Sequence, residues 1–218
     1  EFLRERFFRQ INRVRMENLR SRISPHFTFN VLGREINQFN GSEEVKHNLM
    51  ELVKYLRRSL ELTEKLSVSL QDELDFVRTY IELERGRVGE DFVATITVED
   101  GLDATRIMIP SMIVQIPVEN AIKHGLAGKD GKKELMVYVS RETNGIRITV
   151  TDNGRGYLPQ VVSATRGTGT GLKVLYQTIQ LLNTKNKSDK IRFNITNRSD
   201  GQTGTEVSVY IPFRFSYD

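Results

Sequence analysis

Asp152-Asn153-Gly154-Arg155-Gly156 and, further on, Gly167-Thr168-Gly169-Thr170-Gly171-Leu172 decide how the second half of this chain is read. Both follow a helix-like segment, Val118-Glu119-Asn120-Ala121-Ile122-Lys123-His124-Gly125. A carboxylate at a strand end, followed by glycines, can accept a proton from the exocyclic amino group of adenine while the backbone bends around the base. Guanine offers no such donor in that position. A second glycine run leading into a helix exposes bare amides to phosphate. Either turn alone is a weak signal; the ordered set of three points to an ATP site.

The segment from Pro110 to Gly125 has a helical period. At 100° per residue, Val114, Val118, Ala121 and Ile122 share one side, and Asn120, Lys123 and His124 share the other. An amide oxygen suits Mg²⁺, and an ammonium and an imidazole suit phosphate charge. A solvated polar face is the alternative for this helix taken alone. Asp152 ends a strand marked by Ile148 and Val150, and the alternative to base recognition is a turn-forming Asp before Asn-Gly. Gly154 and Gly156 let the backbone approach a base, and the amides of Gly167, Gly169 and Gly171 are placed to meet a triphosphate. Residues 157–166 read as a lid over that site, with a loop of incidental glycines as the alternative.

Upstream the texture is different. Residues 3 to about 87 contain no convincing strand. Leu49, Leu52, Val53, Leu56 and Leu60 mark one helical stripe, and Leu70, Leu74, Val77 and Ile81 mark a second. Ser69, with Asp72 and Glu73 in the following turn, reads as the cap of the second helix. An earlier helix is apolar along two lines, Leu19, Ile23, Phe27, Val31 and Phe29, Leu32, Ile36, Phe39. So wide an apolar arc favours a homodimeric helical bundle. After Gly86 and Gly89 the pattern alternates: strands at Phe92–Val98, Leu135–Ser140 and Ile146–Thr151, the last two joined at Asn144-Gly145. A helix from Gly171 to about Asn183 and strands at Ile191–Thr196 and Glu206–Pro212 complete it. The expected fold is therefore α+β, with an all-helical part over 1–88 and an α/β sandwich over 89–218.

Composition narrows the classes. The 218 residues are 38% apolar, enough for a core, and contain no cysteine, which excludes disulfides and thiol catalysis. His26, His47 and His124 are scattered and make no metal site. The net charge is +4, with Arg4, Arg6, Arg9, Arg13, Arg15, Arg20 and Arg22 gathered at the start. No aromatic interleaving or recognition motif accompanies them, so a solvated helix face near an anionic membrane or partner is preferred over direct nucleic-acid binding. No apolar run is long enough to span a bilayer and no signal peptide opens the chain. It reads as a soluble piece of a longer protein, with any membrane anchor upstream of residue 1.

His26 lies in Ser24-Pro25-His26-Phe27-Thr28-Phe29-Asn30. Pro25 restarts the helix just before it, Asn30 lies one turn on, and Gly33 clears room beside the ring. An imidazole near neutral pKa is a competent nucleophile toward a γ-phosphate. A structural helix histidine is the alternative, and it is the reading for His47.

Taken together, residues 19–40 resemble the phosphoacceptor box of the LytS/YehU-type sensor histidine kinases, residues 113–125 their N box, 152–156 their first glycine box and 167–172, ending in Leu172, their second. The resemblance implies His26 as the phosphorylated residue, Asn120 as the Mg²⁺ ligand, Lys123 and His124 facing phosphates, and Asp152 reading adenine. Thr205, in Gly204-Thr205-Glu206, matches a residue that supports that Asp. It further implies a dimer through the N-terminal helices and a Bergerat-type (GHKL) ATP-binding domain. Phosphotransfer from His26 to an Asp of a response-regulator receiver domain, on the cytoplasmic side of a membrane, completes the picture. Ser24 stands where the family more often has Asn, and Thr28 where it has a bulky apolar residue; neither is a reacting group.

Two other functions belong to the same fold class. A hydrolase of this superfamily places a Glu four residues before the Mg²⁺-binding Asn to activate water; here that residue is Ile116. A catalytically silent, nucleotide-gated scaffold whose helices signal by changing partners is a further alternative, although the expected reacting groups are present. Phe27 occupies the place where many histidine kinases carry an acid, so Asn30 and Glu119 are the candidates to orient or deprotonate His26.

Overall fold

The computed structural model describes residue 36 and residues 41–157, 170–186 and 189–217. The chain divides into two compact units, Glu1–Lys65 and Leu66–Asp218. Among the described residues, no helix is long and apolar enough to cross a membrane.

In the first unit the described element is helix α1, Glu43–Glu64. It begins where the sequence changes at Gly41-Ser42: the Ser42 hydroxyl accepts from the Val45 N–H at 3.3 Å and caps the helix. His26 and Asn30 lie outside the described residues.

The second unit opens with strand β1, Ser67–Ser69, and helix α2, Leu70–Val88. The Ser69 hydroxyl accepts from the Asp72 N–H at 3.0 Å, as a cap should. Asp72 therefore serves the cap, whereas Glu73 turns inward. The stripe of Leu70, Leu74, Val77 and Ile81 is buried, and α2 packs on the helix and sheet that follow. The compact units thus part at Lys65, and α2, expected within an all-helical 1–88, belongs to the unit containing the sheet.

The sheet comprises β2 (Phe92–Val98), β4 (Lys133–Glu142), β5 (Gly145–Asp152), β6 (Arg192–Asn197) and β7 (Thr205–Pro212), in the order β2-β4-β5-β7-β6. Only the β2–β4 pair is parallel. Alternation sets the faces. Leu135, Val137, Val139, Ile146, Ile148, Val150, Val207, Val209 and Ile211 are buried, and so are Val118, Ile122, Leu175, Ile179 and Leu182 of the helices. On the other face Val93, Met136 and Tyr138 are exposed. Helices on one side of a mixed sheet make the expected two-layer α+β domain.

One stretch departs from the sequence reading. Pro110 does not open a helix; it closes a short strand β3, Met108–Pro110, which pairs antiparallel with β1. The chain then turns through Met112 at φ 69, a region that costs a non-glycine residue on the order of 1–3 kcal/mol. Helix α3, Gln115–Asn120, starts only after that turn, with Pro117 tolerated in its first turn. It widens into a π-helical turn, Ala121–Gly125, where the Leu126 N–H reaches back five residues to Ala121 O at 2.8 Å. Helix α4, Thr170–Lys185, covers the rest of the sheet and ends before β6.

Candidate nucleotide site

Asp152 is the last residue of the central strand β5 and only 4% exposed. Its Oδ1 accepts from the Gly154 N–H at 2.8 Å and from the Thr205 N–H at 3.4 Å. Burial pushes the carboxyl upward from its ordinary value, and the Gly154 and Thr205 hydrogen bonds oppose that shift. Thr205 is the first residue of β7, and its backbone N–H is what reaches the Asp152 carboxylate.

Three glycines surround this carboxylate because no side chain fits. A Cβ on Gly125 would sit 2.9 Å from the Asp152 carboxyl group, and one on Gly154 only 2.1 Å from Gly125 O. Gly204 is at φ 139, and a Cβ there would meet Asp152 O at 1.9 Å. The end of the π-helical turn, the Asp152 turn and the start of β7 therefore touch backbone to backbone. Gly125 and Gly204 were not singled out from sequence, since a glycine's need for close approach depends on what the fold brings beside it.

Other side chains tie the same turn. Asn153 Oδ1 accepts from the Glu134 N–H at 2.8 Å and its Nδ2 donates to Lys132 O at 3.0 Å. Arg155 Nε donates to His124 O at 2.9 Å, linking the glycine turn to the helix. Gly156 is at φ 85, and Asn197 Oδ1 accepts from the Tyr157 N–H at 2.6 Å beside it. Asn153 and Asn197 were missed as positioning groups; the Asx chemistry of Asn153 before a glycine was a usable signal.

On the helical side, Asn120 Nδ2 donates to Ile116 O at 2.8 Å. That bond fixes the amide and leaves its oxygen as a hard ligand of the kind Mg²⁺ prefers. Lys123 Nζ lies 3.0 Å from Glu119 Oε2 and 5.8 Å from the centre of the Tyr80 ring. Glu119 Oε1 accepts from Gln115 Nε2 at 3.1 Å. His124 is held below its ordinary 6.5 by burial first, then by the charges of Lys123 and Arg155. Gly171 is the second residue of α4, where a Cβ would approach the Ile116 side chain to 3.4 Å; Leu172 follows it in the helix. Gly167 and Gly169 lie outside the described residues.

The residues present fit a magnesium nucleotide: a buried carboxylate among close-packed glycines for the base, and an oriented amide, an ammonium and an imidazole on one helix. The layering and this placement at the strand end define the class: a GHKL-type domain of the Bergerat fold. Residues 105–214 match the family described as histidine kinase-, DNA gyrase B-, and HSP90-like ATPase, and residues 14–92 match the histidine kinase family. The chain belongs to the first of these families, and its N-terminal part is similar to the second.

Its relatives agree. It is 30% identical to the sensor histidine kinase/phosphatase LytS of Staphylococcus aureus (strain MRSA252) over 91% of this chain and 34% of that protein. It is 28% identical to the sensor histidine kinase YpdA of Escherichia coli (strain K12) over 92% of this chain and 34% of that protein. The chain thus spans about a third of the length of these curated relatives. Among solved structures, the histidine kinase domain of the Erythrobacter litoralis EL346 blue-light activated histidine kinase aligns with a TM-score of 0.51. It shares 16% identity over 98% of this chain and 95% of that one, a likeness that bears on the fold alone.

Proposed function

We propose that this chain binds Mg-ATP, transfers the γ-phosphoryl group to His26 and passes it to an Asp of a response-regulator receiver domain. The observation that carries the reading is Asp152, a buried acceptor held by two backbone N–H groups in a cradle that only glycine backbone can form. Asp152 accepts from the adenine amino group. Gly154, Gly156 and Gly204 let the chain lie close to the base, and Thr205 keeps the carboxylate aligned. Asn120 holds the metal. Lys123 exchanges Glu119 for phosphate oxygens, His124 faces the same charge, and the amides of Gly167, Gly169 and Gly171 complete the cradle.

Asn120 would hold the magnesium ion, whose charge would offset the negative charge that develops on the phosphates in transfer. His26 then supplies a ring-nitrogen lone pair to the γ-phosphorus. An N–P bond forms, the bond from the γ-phosphorus to the bridging oxygen breaks, and ADP leaves with that electron pair. The other ring nitrogen gives up its proton, which Asn30 orients or Glu119, once released by Lys123, accepts. The first unit, Glu1–Lys65, serves dimerisation and phosphotransfer, and the second, Leu66–Asp218, serves nucleotide binding. The longer protein is anchored upstream and acts at the cytoplasmic side of a membrane.

Incubation of the protein with Mg-ATP is expected to give an acid-labile, base-stable phosphate on the peptide containing His26. His26→Ala should abolish labelling and leave nucleotide affinity unchanged. Labelling that persists in this variant would overturn the assignment of the acceptor.

A further inference from the structure

Glu73 lies in α2 with its side chain fully buried. Its carboxylate receives three backbone N–H groups from the chain that leads into α3. Oε2 accepts from Met112 at 3.0 Å, and Oε1 accepts from Val114 at 3.1 Å and Gln115 at 3.2 Å. These are donors that the start of a helix leaves without intrahelical partners. The helix has no cap of its own, because its N-cap residue is Val114, which makes no side-chain bond. Glu73, more than thirty residues earlier in the chain, supplies that cap from another element.

The carboxylate also spans the left-handed residue. Met112, at φ 69, donates to one oxygen, while Val114 and Gln115 donate to the other. A turn in that conformation persists only where its surroundings over-determine it. The neighbouring pairing contributes as well: Ser67 is opposite Pro110, and the Ser111 N–H reaches Leu66 O at 3.1 Å. Segment 108–115 is therefore fastened to the beginning of α2 on both sides of the turn.

We infer that Glu73 is a positioning residue for the magnesium end of the nucleotide site. It fixes where α3 begins and how the helix is rotated about its axis, and so where Asn120 presents its amide oxygen. A slip of one residue at the helix start would turn that group by about 100°. The base end is held separately, by the contacts of Gly125, Gly154 and Gly204 with one another and with Asp152. Loss of Glu73 is therefore felt in the metal-dependent part of nucleotide binding. This inference rests on the reading of Asn120 as the metal ligand.

The test measures affinity for the β,γ-imido analogue of ATP by calorimetry, once with Mg²⁺ and once with EDTA, on the full 218-residue chain. Glu73→Gln keeps the shape but sets an amide NH₂ against backbone donors. It is expected to lose about ten-fold in affinity with Mg²⁺, the scale of one charge-assisted hydrogen bond, and to keep its EDTA affinity. Asn120→Ala should give the same pattern. If Asn120→Ala loses the Mg²⁺-dependent gain and Glu73→Gln retains it, the positioning role is overturned and the site assignment stands. If Asn120→Ala itself retains the gain, the site assignment fails, and the inference fails with it. A fall in affinity for Glu73→Gln that is equal in both media would show general damage and also overturn the proposal. Should Glu73→Gln not fold, Met112→Val disturbs the same turn with a β-branched residue at positive φ. It must lose the same Mg²⁺-dependent part, and a folded Met112→Val protein that retains the gain overturns the proposal.

Discussion

The two ends of the proposed nucleotide site are built by different means. At the base end, Asp152 is enclosed by main chain from three elements, and added carbon atoms at Gly125, Gly154 or Gly204 would overlap their neighbours. At the phosphate end, Asn120, Lys123 and His124 stand on one helix, with Lys123 partly exposed and paired to Glu119. The first arrangement is rigid and suits one shape. The second holds charge on side chains that can change partners. The proposed reaction needs both, since the base must be fixed while the transferred group moves.

Substitutions that break this contrast should differ in size. The largest effect is expected for Gly154→Ala, whose new carbon would lie 2.1 Å from Gly125 O. Overpacking of this kind costs about 1–3 kcal/mol, and nucleotide affinity should fall by roughly a hundred-fold with a lower melting temperature. Near-normal calorimetric binding would mean that the base end yields after all.

Asp152→Asn comes next and should separate binding from folding. Burial raises the Asp152 carboxyl above its ordinary value. Its contribution to stability is therefore full below the unfolded value and is lost as pH rises through the folded one. Wherever the group is ionised its burial opposes folding, and Asn keeps an acceptor without the charge. The ligand-free melting temperature should rise, while ATP binding weakens by about ten- to a hundred-fold through loss of a charged acceptor. A melting temperature that falls would show that the charge is compensated.

The smallest effect belongs to the phosphate end. His124 is depressed below 6.5, and incoming phosphate charge should raise it again, so binding takes up a proton. Affinity should therefore increase as pH falls from about 8 toward 6, and His124→Gln should flatten that slope by a few-fold. An unchanged slope in the variant would remove His124 from the phosphate end. In the folded protein without nucleotide the same depression works in the other direction. The stability that His124 contributes is present above the ordinary value and declines as pH falls through the lowered one.

Much of this was legible because strands announce themselves by alternation. Phe92–Val98 has the bounds read from sequence, and the remaining sheet strands differ by one or two residues at their ends. The Asn144-Gly145 signal found a real hairpin, yet Gly145 serves a further purpose. It is the first residue of β5, and a Cβ there would lie 2.3 Å from Ile211 O of the neighbouring strand. Motif order singled out Asp152, and the resemblance singled out Thr205; the structure brings the Thr205 N–H to the Asp152 carboxylate. What escaped depends on distant packing. Glu73 beside Ser69 looked like one more acid in a helix's first turn, and only the fold reveals that it caps a different helix. Three-residue strands such as β1 and β3 are too short to show a period, and a helical pattern beginning at Pro110 concealed the turn at Met112.

The widened turn at Ala121–Gly125 gives the helix a reading frame of its own. A regular α-helix would span the same rise with one residue fewer, so this segment can shed a residue and stay helical. A deletion there would leave Asn120 and Gly125 nearly in phase, because a wide turn of five residues and a regular turn of four sweep similar angles. It would instead take one residue out of Ala121-Ile122-Lys123-His124-Gly125, the stretch that carries both proposed phosphate contacts. Length, as much as residue identity, is what this short segment has to preserve.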